Sequence, residues 1–138
     1  MARITSALLC DAATVREGLV HILGGGITRL NRSEYPSPMM TALALAVVLS
    51  PLEAGHPHEV TAIVQTEDGA AIVHAQGQLH PGEPSPLLEP GESVAIQLAI
   101  PLHQVELHAP GGYSIEVSVD DVHQLSLPFR AVLTSGVI

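Results

Sequence analysis

Residues 112–120 alternate apolar and polar side chains without a break. Tyr113, Ile115, Val117 and Val119 fall on one side; Ser114, Glu116 and Ser118 fall on the other. Successive side chains leave a strand on opposite faces, so a period of two predicts a strand with one face buried. The same period returns in residues 93–100, where Val94, Ile96, Leu98 and Ile100 share a face, and in residues 124–133. A chain with several such segments is constrained to fold as sheets.

About eight strands are predicted. They cover residues 3–10, 19–23 continuing after the glycines through 27–30, 41–49, 58–67, 70–79, 93–100, 112–119 and 124–133, with a weaker segment at 102–107. Glu67-Asp68-Gly69 supplies hairpin turn chemistry, and Asp120-Asp121 closes the last hairpin. Residues 80–90 hold four prolines, which excludes helix and central strand there. Residues 11–18 read as a connection, with a short helix capped by Asp11 and ended by Gly18 as the alternative. Many short strands with turn signals about every ten residues predict one antiparallel β-sandwich domain over residues 1–138. Leu107, then Pro110-Gly111, then Tyr113 at a strand start resembles the tyrosine corner of immunoglobulin-like sandwiches.

Two stretches resemble a small bacterial family of unknown function. They are Leu8-Leu9-Cys10-Asp11-Ala12-Ala13 and Leu19-Val20-His21-Ile22-Leu23-Gly24-Gly25-Gly26-Ile27, and a Pro-Gly-x-Tyr strand (Pro110 to Tyr113) and Pro128-Phe129 follow near the end. Ile27 stands where such sequences often carry an aromatic residue. The resemblance implies a β-sandwich and no activity, so it assigns no functional residue.

Composition narrows the function classes. The chain is 46% hydrophobic and 14% charged, which excludes disorder. Net charge is −9 and the five basic residues are all Arg. A surface that tracks phosphates needs clustered basic side chains, so nucleic acid is not an expected partner. An acidic surface also disfavours anionic membranes. The most apolar run, residues 39–49, is about half the length of a membrane helix. No signal or lipoprotein pattern is expected at residues 4–10, where Asp11 follows Cys10 directly. A single cysteine permits no intrachain disulfide. The absence of Lys beside abundant Ala, Gly, Pro and Arg fits a GC-rich bacterial gene, and a cytoplasmic protein is expected.

Four groups could carry chemistry. Gly24-Gly25-Gly26 lacks the following helix that an anion cradle needs, so the glycines are expected to serve a bulge or a close approach. His56, His58 and His80 should meet at the ends of the 58–79 hairpin, with Glu59 or Glu83 nearby, and could form a zinc-type site. The spacing matches no ligand motif, so solvated histidines are the preferred reading and no metal or other cofactor is expected. Cys10 with His21 and Asp11 could be drawn as a thiol nucleophile and base, but Cys10 alternates in phase with Leu8 and reads as core. Asp120-Asp121 lacks the further oxygen ligands of a calcium loop. No catalytic group is assigned.

Residues 41–49 are apolar on both faces. Leu43, Leu45, Val47 and Leu49 suit a core; Ala42, Ala44, Ala46 and Val48 occupy the face that should be polar. Something must cover that face. The expectation is a non-enzymatic interaction or assembly module that uses Ala42, Ala44, Ala46 and Val48 in a homo-oligomer, a dimer by preference, or against a protein partner. The alternative is a metal- or small-ligand-binding protein built on the histidines.

Overall fold

The computed structural model describes residues 2–80 and 87–134. The described chain is all-β and holds several sheets. Its strands are β1 (Arg3–Cys10), β2 (Ala12–Arg16), β3 (Leu19–Leu23), β4 (Arg29–Arg32), β5 (Ser37–Pro38), β6 (Ala42–Leu49), β7 (His58–Thr66), β8 (Ala71–Leu79), β9 (Val94–Pro101), β10 (Glu106–Leu107), β11 (Gly111–Val119) and β12 (Val122–Leu133). A 3-10 turn, Glu53–Gly55, precedes β7.

Three strands form one sheet in the order β1-β6-β9, and five form another in the order β4-β12-β11-β7-β8. Two small sheets, β2-β3 and β10-β5, complete the set. One core joins the two large sheets: Leu43, Leu45, Val47 and Leu49 from β6 cluster with Val60, Ala62 and Val64 from β7 and Ile115 and Val117 from β11. Register explains the alternation in the sequence. Tyr113 faces Phe129, Ile115 faces Leu127 and Val117 faces Leu125 across the β11–β12 pair. Tyr113, Ile115, Val117, Val119 and Phe129 are buried, and Leu125 and Leu127 pack half-buried against the same core. The rings of Tyr113 and Phe129 stack with centroids 5.4 Å apart. The Tyr113 hydroxyl donates to the Ala109 carbonyl, four residues upstream, at 2.5 Å.

Three sequence expectations are corrected. Residues 11–18 are not a plain connection or a helix: they contain β2, which turns through Glu17 (φ 54°) and Gly18 (φ 75°) to pair with β3. Two consecutive left-handed residues make the tight reversal of a two-residue hairpin. Residues 27–30 do not continue β3. The glycines carry the chain away from β3, and β4 then pairs with β12 in the other large sheet. That pair is parallel, so the fold is not wholly antiparallel. The strands β5 and β10, two residues each, add a further small pairing that no period in so short a segment could announce.

Candidate functional site

The hairpin β2–β3 is the feature that sets this surface apart. Residues directly opposite in an antiparallel pair share a face. Ala13 lies opposite Ile22 and Val15 opposite Val20, so these four share one side. Ala13 and Val20 pack on Cys10, Ala42 and Ala44, together with Leu8. The hairpin therefore lies over the outer face of β6 and reaches β9. This corrects the expectation for the Ala face. Ala42 and Ala44 are covered by the chain itself, Ala46 is also buried and Val48 is half-buried. Alanines suit this position because short side chains let a second backbone layer approach closely.

The hairpin that covers the alanines turns a mixed side outward. The other side of the hairpin pairs Ala12 with Leu23, Thr14 with His21 and Arg16 with Leu19. Leu19 is 64% exposed and Leu23 is 71% exposed. Val15 and Ile22 are partly exposed at the margins of the inner side. Arg16 and Glu17 are the sole charged residues between Ala12 and Leu23, so the hairpin is locally neutral on a chain of net charge −9.

The triple glycine anchors this hairpin. The Asp11 amide donates to the Leu23 carbonyl at 3.0 Å, and the Gly26 and Ile27 amides both donate to the Leu9 carbonyl at 2.9 Å. Gly24 has φ +62° and its α-carbon lies under the Asp11 carboxylate, where a β-carbon would collide. Gly25 lies against Ile22 and Leu8. A carboxylate resting on Gly24 is the wrong charge for an anion cradle. Beneath residues 26–28 an apolar cleft of about 250 Å³ opens between β1 and β12, floored by Ile115 and Phe129.

The histidines divide. His58 lies opposite Leu79, so the hairpin ends do meet as expected. Its ring is fully engaged, however: Nδ1 is 2.6 Å from Asp120 Oδ2 and Nε2 is 2.7 Å from the Glu53 carbonyl. Both ring nitrogens are engaged by acceptor groups, so neither is free for a metal. Among the described residues no group of three or more His, Cys, Asp or Glu is placed to hold a metal ion. Glu83 lies outside the described residues.

Cys10 is buried and its thiol donates to the Ala42 carbonyl at 3.3 Å. Burial pushes its pKa up and the Asp11 charge adds to that, the reverse of what activates a nucleophile. His21 is exposed on the outer side of the hairpin.

One cluster escaped sequence reading. Glu116 on β11 meets Ser126 and His123 on β12: Ser126 Oγ donates to Glu116 Oε1 at 2.5 Å, and His123 Nε2 lies 2.9 Å from the same oxygen. The residue types are those of a hydrolytic triad, but the wiring is not. A triad places the imidazole between hydroxyl and carboxylate, one nitrogen for each. Here the carboxylate takes both partners on one oxygen, and Ser126 Oγ is 3.5 Å from the same Nε2. Burial raises the Glu116 pKa, and the hydrogen bonds from Ser126, Ser114 and His123 outweigh it and hold the carboxylate low. Only the register of β11 on β12 reveals the cluster, which is a polar patch on the outer face of the sheet.

Among the described residues no helix is long and apolar enough to cross a membrane. No curated protein sequence matches the chain. A family model does, over residues 5–132, and the stretches that carried the resemblance lie within that span. The chain belongs to the family of unknown function DUF6941.

Proposed function

We propose that this chain is a non-enzymatic assembly module of the cytoplasm, an immunoglobulin-like β-sandwich that forms a two-fold dimer through the outer side of the β2–β3 hairpin. The two large sheets around one core and the Tyr113 bond to Ala109 support the sandwich reading. The observation that carries the assembly reading is the hairpin surface, with Leu19 and Leu23 exposed on an element without net charge. Two copies of an acidic protein repel each other, and the repulsion is least where the local charge cancels. A second copy brings the same neutral patch, and a two-fold arrangement closes the assembly.

Sedimentation velocity tests this. The wild-type chain is expected to sediment as a dimer at roughly tens of micromolar, an ordinary affinity for such a contact. The double variant Leu19→Glu, Leu23→Glu is expected to sediment as a monomer with an unchanged β-type circular dichroism spectrum. A wild-type monomer at that concentration overturns the proposal.

A further inference from the structure

We propose that His58, held between Asp120 and the Glu53 carbonyl, is a proton-operated latch that fastens the loop of residues 50–57 to the β11–β12 turn. Three elements converge on the ring. The turn Glu53–Gly55 supplies the carbonyl, the start of β7 supplies His58, and the β11–β12 turn supplies Asp120. Asp120 has φ 49° and Asp121 φ 66°, so the two-residue turn points the Asp120 carboxylate back at β7. There Asp120 Oδ1 accepts from the Glu59 amide at 2.9 Å, and the Asp120 amide donates to the Glu59 carbonyl at 2.8 Å.

The charge state follows from geometry. A neutral imidazole has one donor and one acceptor nitrogen. With acceptors at both, loss of the proton sets a lone pair against either Asp120 or the Glu53 carbonyl. The His58 side chain is 10% exposed, so little water is at hand to relieve that clash. Among the described residues the charged groups that act on the ring are the Asp120 and Glu53 carboxylates, and both favour the imidazolium. Deprotonation therefore breaks a contact rather than adjusting it. The loop that the latch fastens carries Pro51 and Ala54, one wall of a hollow of about 240 Å³ whose other wall is residues 88–92 with Val94. This inference is independent of the dimer.

Histidine side-chain ¹⁵N–¹H correlation on the full chain, followed from acid to alkaline pH, tests it. His58 is expected to show both ring nitrogens protonated at neutral pH and to lose its proton above the value of about 6.5 of an unperturbed imidazole. Amide exchange at Glu59, corrected for its intrinsic rate, is expected to accelerate in the same step. Asp120→Asn should move that step to lower pH, while Asp121→Asn should leave it in place. A neutral His58 tautomer at neutral pH in the wild-type chain overturns the proposal, whether or not the variants fold. Glu59 protection that does not change across the His58 titration overturns it as well.

Discussion

At the scale of single residues, hydrogen-bond partners decide what each group does. The His58 pKa is raised, first by its bond to Asp120 and then by the Glu53 carbonyl. Burial works against the Asp120 carboxylate, and the bonds from His58 and the Glu59 amide outweigh it, so the Asp120 pKa is lowered. The signs set a window. The His58 contribution is fully present below the unfolded value of about 6.5 and fades as pH rises through the raised folded value. The Asp120 contribution is present above the unfolded value of about 3.9 and fades as pH falls through the lowered one. The melting-temperature gap between wild type and Asp120→Asn should therefore be widest between those limits and shrink on the alkaline side. A gap that keeps growing with alkalinity would contradict this assignment. Thr41 makes a different demand. Its hydroxyl is buried without a partner among the described residues. Thr41→Val keeps the shape and removes the unmatched group, so urea unfolding should show no loss and a gain of up to about 1 kcal/mol. Tyr113→Phe should cost about 0.5–1.5 kcal/mol, because the exposed Ala109 can return its carbonyl to water.

At the scale of elements, the β2–β3 hairpin is where local pattern and outcome part. Residues 12–16 are too short to show a period, and their alanines carry no strong strand preference. What makes them a strand is the partner β3 and the layer beneath them. The glycines that follow were legible as backbone devices, since no helix follows to make them a cradle. Their positions predict an order of cost. Gly26→Ala meets open space and adds only the strain of φ +89°, whereas Gly24→Ala, at φ +62°, adds a clash with the Asp11 side chain. Calorimetry should rank Gly24→Ala as the more damaging. In an Asp11→Ala background the gap between the two should narrow, because the clashing carboxylate is gone. Equal costs in both backgrounds would mean that Asp11 does not rest on Gly24. Cys10, sealed under this hairpin, should react with a thiol reagent only after unfolding. Rapid labelling of the native chain would show that the hairpin lifts.

At the scale of the whole molecule, the two large sheets share a core rich in aliphatic side chains around one stacked aromatic pair. Phe129 is the single Phe of the chain, 4% exposed and packed on Tyr113. Phe129→Ala should cost about 3–5 kcal/mol in urea unfolding, because Tyr113, its stacking neighbour, is tied to Ala109 and cannot move to refill the volume. A loss under roughly 1 kcal/mol would mean that its ring does not pack in the core. The strands that form the walls of this core are readable from alternation along the chain. Residues 3–10 form β1 as expected, and β6, β7, β8, β9, β11 and β12 start and stop within two residues of their expected bounds. The reason is that alternation is a local consequence of having one wet face and one dry face, and the turn residues are read the same way. Tertiary structure alone decided which apolar face stays bare. Both faces of β6 looked equally dry in sequence, because a side chain hidden by a second sheet and one hidden by a folded-back hairpin meet the same absence of water. The same holds for His58. Its two acceptors come from residues 5 and 62 positions away, and no spacing along the chain encodes a distance closed by the turn of another hairpin.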